Sequence, residues 1–455
     1  MSSKRGVHPR PPSVEAVLQR LRPSLDGAEV AALTAVVRHV VGDERDRLRS
    51  GDAPRDPNAL ADVARDMIDG FENAGVPAVI NATGVIVHTN LGRAPWPPAV
   101  ARAVAALATD YALLEIDAAT GRRGPRARIA EDHLVALTGA EDALVTNNNA
   151  AALALAVGLA GRGGVLVSRG ELVEIGGGVR IPEIIRRAGA RLIEVGTTNR
   201  TRTADFEAPL AEGRARAVLR VHPSNFTISG FTEAPDAAGV AELAHRHGAI
   251  VIDDLGSGAL LDTAAYGLTH EPMPAERLAA GSDVVTFSGD KLVGGPQAGL
   301  VVGRAELVAR MRRDPLARAM RPDKVTMAGI ALTLGLYRAG RAATEIPVWR
   351  MISTPIDDLR ARATAIIEAL GSRAAIVDLR STVGGGSLPG ETLPSVGVAL
   401  RGGSATKLLA TLRQASPPVI GRIEDRRVVL DLRTVDPTSD PAFIQAVRSV
   451  LGGDA

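Results

Sequence analysis

Seven short apolar segments between residues 143 and 302 constrain the fold of this chain more than any other feature. Each is rich in β-branched residues and apolar at successive positions, a pattern typical of strands that helices cover on both faces. The stretches between them are rich in Ala and Arg and favour helices. We therefore predict an α/β domain with a mostly parallel, doubly wound sheet whose ligands bind at the carboxyl ends of the strands. The seven segments are Ala143–Thr146, Gly164–Ser168, Arg191–Val195, Ala217–His222, Ala249–Asp253, Asp283–Phe287 and Gly299–Val302.

A lysine follows the sixth of these segments, in Ser288-Gly-Asp-Lys291-Leu-Val-Gly-Gly-Pro296. Arginine keeps its proton near neutral pH, whereas a lysine amine can lose it and form a Schiff base. A strand followed by Ser-x-x-Lys and Gly-Gly-Pro is typical of enzymes that hold pyridoxal 5'-phosphate (PLP), with Ser288 beside the cofactor. The alternative is a solvated lysine in a turn. Of 53 Lys and Arg residues only four are lysines, namely Lys4, Lys291, Lys324 and Lys407.

Two adjacent carboxylates, Asp253 and Asp254, end another predicted strand. PLP chemistry needs a carboxylate against the pyridine nitrogen, because the protonated ring withdraws electrons from Cα of the bound amino acid. Successive side chains of a strand point to opposite faces, so only one of the two can face the ring. The Asp-x-Gly spacing of Asp254-Leu-Gly256 favours Asp254.

Polar residues end three more of the predicted strands. Asn148 and Asn149 precede a helical stretch whose free N–H groups suit the cofactor phosphate, although a run of Asn is also ordinary helix capping. Asn225, in His222-Pro-Ser-Asn225, is a candidate hydrogen-bond donor to the phenolic oxygen of the cofactor. Glu171, in Ser168-Arg-Gly-Glu171, is a candidate for the side chain that covers the ring. A turn or a cap explains these last two segments nearly as well.

Arginines form the last candidate cluster. Arg93 lies in Asn90-Leu-Gly-Arg93, and Arg318 and Arg321 lie three residues apart in a predicted helix. Residues at this spacing share a helix face, so two guanidinium groups could hold a tetrahedral oxyanion. Surface arginines are abundant in this chain, so the residues alone favour an ordinary surface role for the pair.

Three domains are predicted, over residues 1–75, 76–344 and 345–455. The first is helical, and the charged segment 43–51 within it is predicted to be exposed. Its arginines form a basic side, for which a solvated helix face is the alternative interpretation. The third is a small α+β domain with Gly384–Gly390 and a strand-like Arg427–Leu432. The apolar stripes of the first domain are Val14, Val17, Leu18, Leu21; Val30, Leu33, Val37, Val40; and Leu60, Val63, Met67, Phe71, and its basic residues are Arg20, Arg22, Arg38, Arg45, Arg47 and Arg49.

Composition excludes several classes of protein. The chain has no cysteine, so a disulfide framework, a thiolate metal site and a cysteine nucleophile are excluded. No apolar run reaches the length of a membrane span, and the N-terminus lacks a signal-peptide core, so we expect a cytoplasmic protein without a membrane partner. The net charge of +2 is too small to indicate a nucleic-acid-binding protein by itself. No metal site is predicted.

Together, the motifs of this chain resemble those of bacterial selenocysteine synthases, the L-seryl-tRNA(Sec) selenium transferase family. The resemblance extends over nearly the whole length, and its combination of motifs is highly specific. It is carried by Pro12-Ser13-Val14, the segment from Val79 to Arg93, Gly121-Arg-Arg-Gly-Pro-Arg126, Ser168-Arg-Gly-Glu171 with Glu174-Ile-Gly-Gly177, Gly196-Thr-Thr-Asn-Arg-Thr201, His222-Pro-Ser-Asn-Phe226, Asp254-Leu-Gly-Ser-Gly258, Ser288-Gly-Asp-Lys291 and Gly385-Gly-Ser-Leu-Pro-Gly390.

The resemblance implies a fold-type-I PLP-dependent transferase in which Lys291 forms the Schiff base. It further implies that Arg93, Arg318 and Arg321 line the pocket of the selenium donor and that the N-terminal unit binds selenocysteine tRNA. The implied reaction converts L-seryl-tRNA(Sec) to L-selenocysteinyl-tRNA(Sec), by β-elimination to an aminoacrylyl-tRNA and addition of selenium from selenophosphate. Members of the family assemble into large homo-oligomeric rings, so a decamer, a pentamer of dimers, is implied.

Two alternatives remain at this point. One is a PLP-dependent lyase for a small phosphorylated amino-sugar acid, which would have no need of a helical unit with a basic side. The other is a tRNA-binding or scaffolding protein that has lost catalysis. The presence of Lys291, Asp254, Ser288 and the arginines argues against the second.

Overall fold

The computed structural model describes residues 10–22, 30–70, 75–124, 126 and 128–452. The chain divides into two compact units, Met1–Ala78 and Val79–Ala455.

Three helices form the described part of the N-terminal unit: α1 (Val14–Leu21), α2 (Val30–Arg49) and α3 (Pro57–Asp69). Ser13 caps α1 by accepting a hydrogen bond from the backbone N–H of Ala16 at 3.2 Å, and Asp56 caps α3 in the same way through Ala59 at 2.8 Å. These contacts satisfy N–H groups that a helix start leaves free. The three helices bury one shared apolar cluster around Leu21, Val37 and Leu60.

The third predicted stripe is partly wrong. Leu60 is buried, but Val63 and Met67 are 37% and 36% exposed, and α3 packs through Ala61 and Ala64 instead. Small side chains permit a close approach of the helices, so the pattern of large apolar residues indicated the wrong face. Val30, predicted on the second stripe, is likewise exposed. Phe71 lies outside the described residues.

The charged segment 43–51 is not uniformly exposed. Most of it belongs to α2, which continues as far as Arg49 and buries Glu44 and Leu48. Glu44 is fully buried and accepts hydrogen bonds from Arg47 Nη1 and Arg55 Nε, both at 2.7 Å. Burial alone would raise the pKa of Glu44, but the hydrogen bonds from Arg55 and Arg47 hold it below its usual range. The remaining arginines of the predicted basic side, such as Arg38, Arg45 and Arg49, are exposed.

Helices and strands alternate through the larger unit. Its helices are α4 (Pro98–Thr109), α5 (Ile129–Thr138), α6 (Asn149–Gly158), α7 (Ile181–Arg187), α8 (Glu207–Ala211), α9 (Ala237–Arg246), α10 (Pro274–Ala279), α11 (Ala305–Arg313), α12 (Pro315–Ala319), α13 (Lys324–Arg338), α14 (Ala342–Glu345), α15 (Pro347–Ser353), α16 (Ile356–Leu370), α17 (Ala405–Leu412) and α18 (Asp440–Gly452). Its strands are β1 (Ile80–Asn81), β2 (Val85–Val87), β3 (Asp142–Thr146), β4 (Gly164–Ser168), β5 (Glu174–Ile175), β6 (Val179–Arg180), β7 (Arg191–Val195), β8 (Ala215–Val221), β9 (Ile250–Gly256), β10 (Val284–Ser288), β11 (Gly299–Gly303), β12 (Ala374–Gly384), β13 (Thr392–Leu400), β14 (Val419–Ile420), β15 (Arg422–Glu424) and β16 (Arg427–Asp431).

All seven predicted strands are present and form one sheet in the order β3-β11-β10-β9-β8-β4-β7. Only β11 runs antiparallel to its neighbours, β3 and β10, and the other pairs are parallel. Apolar clusters lie on both faces of the sheet, as the continuous apolar runs predicted. The α/β class with a mostly parallel sheet is thus confirmed. Strand β9 is longer than predicted. It extends to Gly256, so Asp254 lies within the strand rather than after it.

A second, five-stranded sheet has the order β15-β16-β13-β12-β2. Its strands pair antiparallel except for β12 and β2, which are parallel. The chain before the large sheet therefore contributes to this sheet through β2, and β1 pairs with β14. These pairings cross the predicted boundary between residues 344 and 345, and that boundary stays a prediction. No helix in the described ranges is long and apolar enough to cross a membrane.

Candidate active site

Lys291 lies just after β10, at the carboxyl edge of the large sheet. Burial lowers the pKa of its amine, while the charges of Asp254 and Asp290 act in the opposite direction. An amine with a lowered pKa has more of its free base near neutral pH, and only the free base is nucleophilic.

Asp254 lies on the neighbouring strand β9 and is buried. Its Oδ1 accepts hydrogen bonds from Asn149 Nδ2 at 2.8 Å and from Thr286 Oγ1 at 3.1 Å. Burial raises its pKa, against the effect of those two donors and of the Lys291 charge. Asp253 instead accepts a hydrogen bond from Ser282. Together with Arg220 and Glu171, it lines a cavity of its own. Of the two adjacent carboxylates, Asp254 is therefore the one whose charge acts on Lys291.

Glycines bring the backbone close to the amine of Lys291. A Cβ atom added at Gly386 would lie 2.4 Å from Lys291 Nζ, and one added at Gly256 would lie 3.8 Å away. Both residues have positive φ, of 81° and 68°. The loop that follows β12 is thus folded against the lysine, and a larger residue at position 386 would displace the end of the Lys291 side chain.

Three buried polar atoms in the segments around Lys291 have no hydrogen-bond partner among the described residues: Asn149 Oδ1, Ser257 Oγ and Ser387 Oγ. Such atoms are rare in proteins and require an explanation, of which a polar ligand is one. An aldehyde cofactor with a ring nitrogen, a phenolic oxygen and a phosphate would supply donors and acceptors. The residues around Lys291 therefore fit PLP.

The start of α6 lies beside Asp254. Asn148 caps this helix by accepting a hydrogen bond from the N–H of Ala151 at 2.9 Å, while Asn149 contacts Asp254. The start of the helix therefore lies at the same edge of the sheet as Lys291, and the first N–H groups, ahead of the capped Ala151, could hold a phosphate. Ser288 is the last residue of β10 and is buried.

The two remaining cofactor candidates have other partners. Asn225 Nδ2 donates to the carbonyl of Glu174 at 3.0 Å, and Glu171 accepts a hydrogen bond from Arg220 Nε at 3.2 Å. Glu171 lies with Arg220 and His222 in a cavity of about 330 Å³. Burial raises the pKa of Glu171 even though Arg220 opposes it. The roles given to Asn225 and Glu171 stay predictions.

Among the described residues, the three candidate arginines line two separate cavities, one with Arg93 and the other with Arg318 and Arg321. Arg93 has a positive φ of 66° and donates from Nη1 to Asp290 Oδ2 at 2.5 Å, one residue before Lys291. Arg318 and Arg321 line a separate cavity of about 510 Å³ beside β3. The structure therefore places Arg93 at the lysine and the other pair elsewhere.

Sequence reasoning gave no role to several residues near Lys291. The negative charges of Asp290 and Glu271 both raise the pKa of Lys291, against the effect of burial. His222 Nε2 lies 3.3 Å from Glu271 Oε1. Asp290 could have been predicted near the amine, because it directly precedes Lys291 in Ser-Gly-Asp-Lys. Glu271 could not, because a single Glu in a loop is common and nothing in the sequence near it indicates a site. In the part of the chain that the structure describes, no group of three or more His, Asp or Glu side chains could hold a metal ion.

Comparisons with known proteins decide the family. The family profile described as L-seryl-tRNA selenium transferase (SelA) matches residues 79–436. A protein of Moorella thermoacetica named L-seryl-tRNA(Sec) selenium transferase is 44% identical over 97% of this chain and 96% of its own length. The chain belongs to the L-seryl-tRNA selenium transferase family. The family predicted from the sequence motifs is thus confirmed.

Other relatives agree with this membership. Proteins of the same name from Carboxydothermus hydrogenoformans and Rhizobium meliloti are 43% and 41% identical, and they are covered over 93% and 97% of their own lengths. The solved structure of D-glucosaminate-6-phosphate ammonia-lyase is similar in fold, with a TM-score of 0.60 at 22% identity over 84% of this chain and 98% of that chain. The predicted fold-type-I class is confirmed. Because the full-length relatives are selenium transferases, the transferase interpretation is favoured over the small-molecule lyase.

Proposed function

We propose that this protein converts L-seryl-tRNA(Sec) to L-selenocysteinyl-tRNA(Sec) in the cytoplasm, with PLP as cofactor and selenophosphate as selenium donor. Membership of the selenium transferase family, over nearly the whole chain, is the observation that carries the proposal. The half-buried Lys291 and the buried Asp254, with unpartnered polar atoms around them, support the choice of cofactor.

Each residue has a role that follows from its surroundings. PLP, when bound, supplies an electron sink that stabilises negative charge at Cα of the serine. Lys291 would hold the cofactor and, when the substrate amine takes its place, would be the base that removes the Cα proton. Asp254, held in place by Asn149 and Thr286, would keep the ring nitrogen protonated. The hydroxyl group of serine would leave as water with the proton taken from Cα, and Cβ would then be open to selenium.

Arginines would hold the donor anion. Arg318 has no ion-pair partner within the described ranges, and Arg321 has only Glu115. Arg93 is fixed by Asp290 beside Lys291 and could guide the donor towards Cβ. Because one chain keeps Arg93 apart from the other two, we infer that a second copy completes the site. A homo-oligomeric ring, a pentamer of dimers, accords with this and with the exposed Tyr111, Leu113 and Phe231.

The test is conversion of seryl-tRNA(Sec) by the purified protein, combined with borohydride reduction and peptide mass spectrometry. We expect selenium in the tRNA-bound amino acid and a reduced cofactor adduct on Lys291. Lys291→Ala should abolish both while the circular-dichroism spectrum remains that of a folded protein. Lys407→Ala is the matched control and should behave as the wild type. An adduct on Lys324 or Lys407 would contradict the assignment, and turnover of a free phosphorylated amino-sugar acid would favour the lyase.

A further inference from the structure

The cavity that contains Arg318 and Arg321 is lined by six arginines and by two carboxylates, Glu131 and Asp314, so positive charge is in excess. Two of the arginines have close carboxylate partners: Arg312 Nη1 lies 3.0 Å from Asp142 Oδ2, and Arg128 Nε lies 2.8 Å from Glu131 Oε2. Arg126, Arg318 and Arg321 form a second group in the same lining. The one carboxylate paired with this group in the described structure is Glu115, which Arg123 also contacts.

Arg126 is directed into this cavity by its own contacts. It donates from Nη2 to the carbonyl of Pro322, the residue after Arg321, which fixes its guanidinium group near that arginine. Its Nε is buried and has no hydrogen-bond partner among the described residues. Burial and the nearby charge of Arg321 lower the pKa of Arg126. A buried donor beside a second cation is a costly arrangement that an anion would relieve.

Glu115 has the geometry of a temporary counter-ion. Its carboxylate lies 3.1 Å from Arg321 Nη1, 3.6 Å from Arg126 Nη1 and 2.9 Å from Arg123 Nη2. The hydrogen bond from Arg123, with the charges of Arg321 and Arg126, holds its pKa below the usual range, so it is ionised at neutral pH. Its side chain is 28% exposed, so water can hydrate the carboxylate when it leaves Arg321.

We propose that Arg126 joins Arg318 and Arg321 in holding the tetrahedral anion of the selenium donor, and that Glu115 is the counter-ion which this anion displaces from Arg321. This inference rests on the proposed function, because it identifies the anion with the donor. It adds two residues to the site, one that attracts the anion and one that competes with it.

The test measures binding of inorganic phosphate to the PLP-loaded enzyme by calorimetry at fixed ionic strength. Arg126→Ala should weaken binding by roughly 10-fold to 100-fold, the loss typical of one charge-assisted contact. Arg126→Lys, which keeps the charge but not the planar fork, should lose less. Glu115→Gln should tighten binding several-fold. Arg310→Ala is the matched control: Arg310 lies on α11 outside the cavity lining and donates to the carbonyl of Leu159, so binding should not change.

The same variants should shift KM for selenophosphate in the same directions, with kcat changed less. Unchanged phosphate binding in Arg126→Ala, or weaker binding in Glu115→Gln, would overturn the proposal, as would no phosphate binding by the wild type. A phosphate of the tRNA offers the same chemistry, so uncharged tRNA is titrated in parallel. If Arg126→Ala weakens tRNA binding but not phosphate binding, the donor assignment is overturned. Absent selenium transfer with phosphate binding intact would count against the proposed function alone.

Discussion

At the scale of single residues, burial acts on two opposite charges at the edge of the large sheet. It lowers the pKa of Lys291 and raises that of Asp254, so each group is driven towards its neutral form. For the lysine this favours a reactive amine. The aspartate, by contrast, needs partners that stabilise its ionised form. These are the hydrogen-bond donors Asn149 and Thr286 and, in our proposal, the protonated ring of the cofactor.

Asp254 and Asp253 provide a matched pair for a prediction at this scale. Asp254→Asn should lower the affinity for PLP by at least about tenfold, because a charge-assisted contact worth roughly 1.5–3 kcal/mol becomes a neutral one. Asp253→Asn should leave the affinity near that of the wild type, since Asp253 contacts Ser282. Absorbance titration of the apo-protein with PLP measures both. Equal losses in the two variants would show that position 254 has no special role.

At the scale of elements, the loop between β12 and β13 depends on glycine. Gly386 has a φ of 81° and Gly390 a φ of 80°, but only at Gly386 would a Cβ meet another group. Both Ala variants should be destabilised by about 1–2 kcal/mol from backbone strain. Only Gly386→Ala should also lose bound cofactor, because its Cβ would press on Lys291 Nζ. The ratio of cofactor absorbance to protein measures this, and similar loss in Gly390→Ala would attribute the effect to strain alone.

The five-stranded sheet depends on a buried carboxylate. Asp431 ends β16 and accepts hydrogen bonds from Ser381 Oγ on β12 at 2.9 Å, Ser395 Oγ on β13 at 2.6 Å and Arg422 Nη1 on β15 at 3.2 Å. Its removal leaves buried donors without an acceptor, a cost of about 1–3 kcal/mol for each buried group. This carboxylate thus connects four strands.

Asp431→Ala should therefore lower the free energy of unfolding by about 3 kcal/mol. Asp378→Ala is the control on the same sheet. Its side chain is 76% exposed and paired with Arg360, and such surface pairs contribute about 0–1 kcal/mol. Denaturant unfolding followed by tryptophan fluorescence compares the two. If the two variants lose the same stability, the buried network has no particular importance.

At the scale of the whole molecule, the chain combines an α/β unit with a helical unit of its own core. The helical unit presents Arg38, Arg45 and Arg49 to solvent. The described residues named around Lys291 all belong to the larger unit. Cofactor binding and tRNA binding should therefore be separable.

Deletion of residues 1–78 should leave the PLP absorbance intact and severely weaken binding of selenocysteine tRNA. Phosphate contacts release counterions, so the intact protein should lose affinity steeply as salt rises. The full-length triple variant Arg38→Ala, Arg45→Ala, Arg49→Ala is the finer test and should reduce the salt slope by roughly one for each lost contact. Filter binding of selenocysteine and ordinary serine tRNAs at two salt concentrations measures both effects. Equal binding by full-length and truncated proteins would remove the tRNA role from this unit.

The sequence by itself determined the large sheet and the position of Lys291 and Asp254 at its carboxyl edge. Its strands are continuous apolar runs, and such runs report burial on both faces without knowledge of their neighbours. Lys291 and Asp254 were singled out because each lies near the carboxyl end of such a run, and parallel strands bring those ends together; their roles stay predictions. The motifs also determined the family. These are signals carried by residues close together in the chain.

Only the tertiary structure decided which distant residues join them. Gly386 and Ser387 lie nearly a hundred positions from Lys291, and no local pattern predicts that their loop folds onto its amine. Likewise, the burial of Glu44 depends on Arg55 reaching across from beyond the end of α2. The separation of Arg93 from Arg318 and Arg321 was also invisible in the motifs, because spacing along a chain determines shared helix faces and strand ends, but not which cavity a side chain enters.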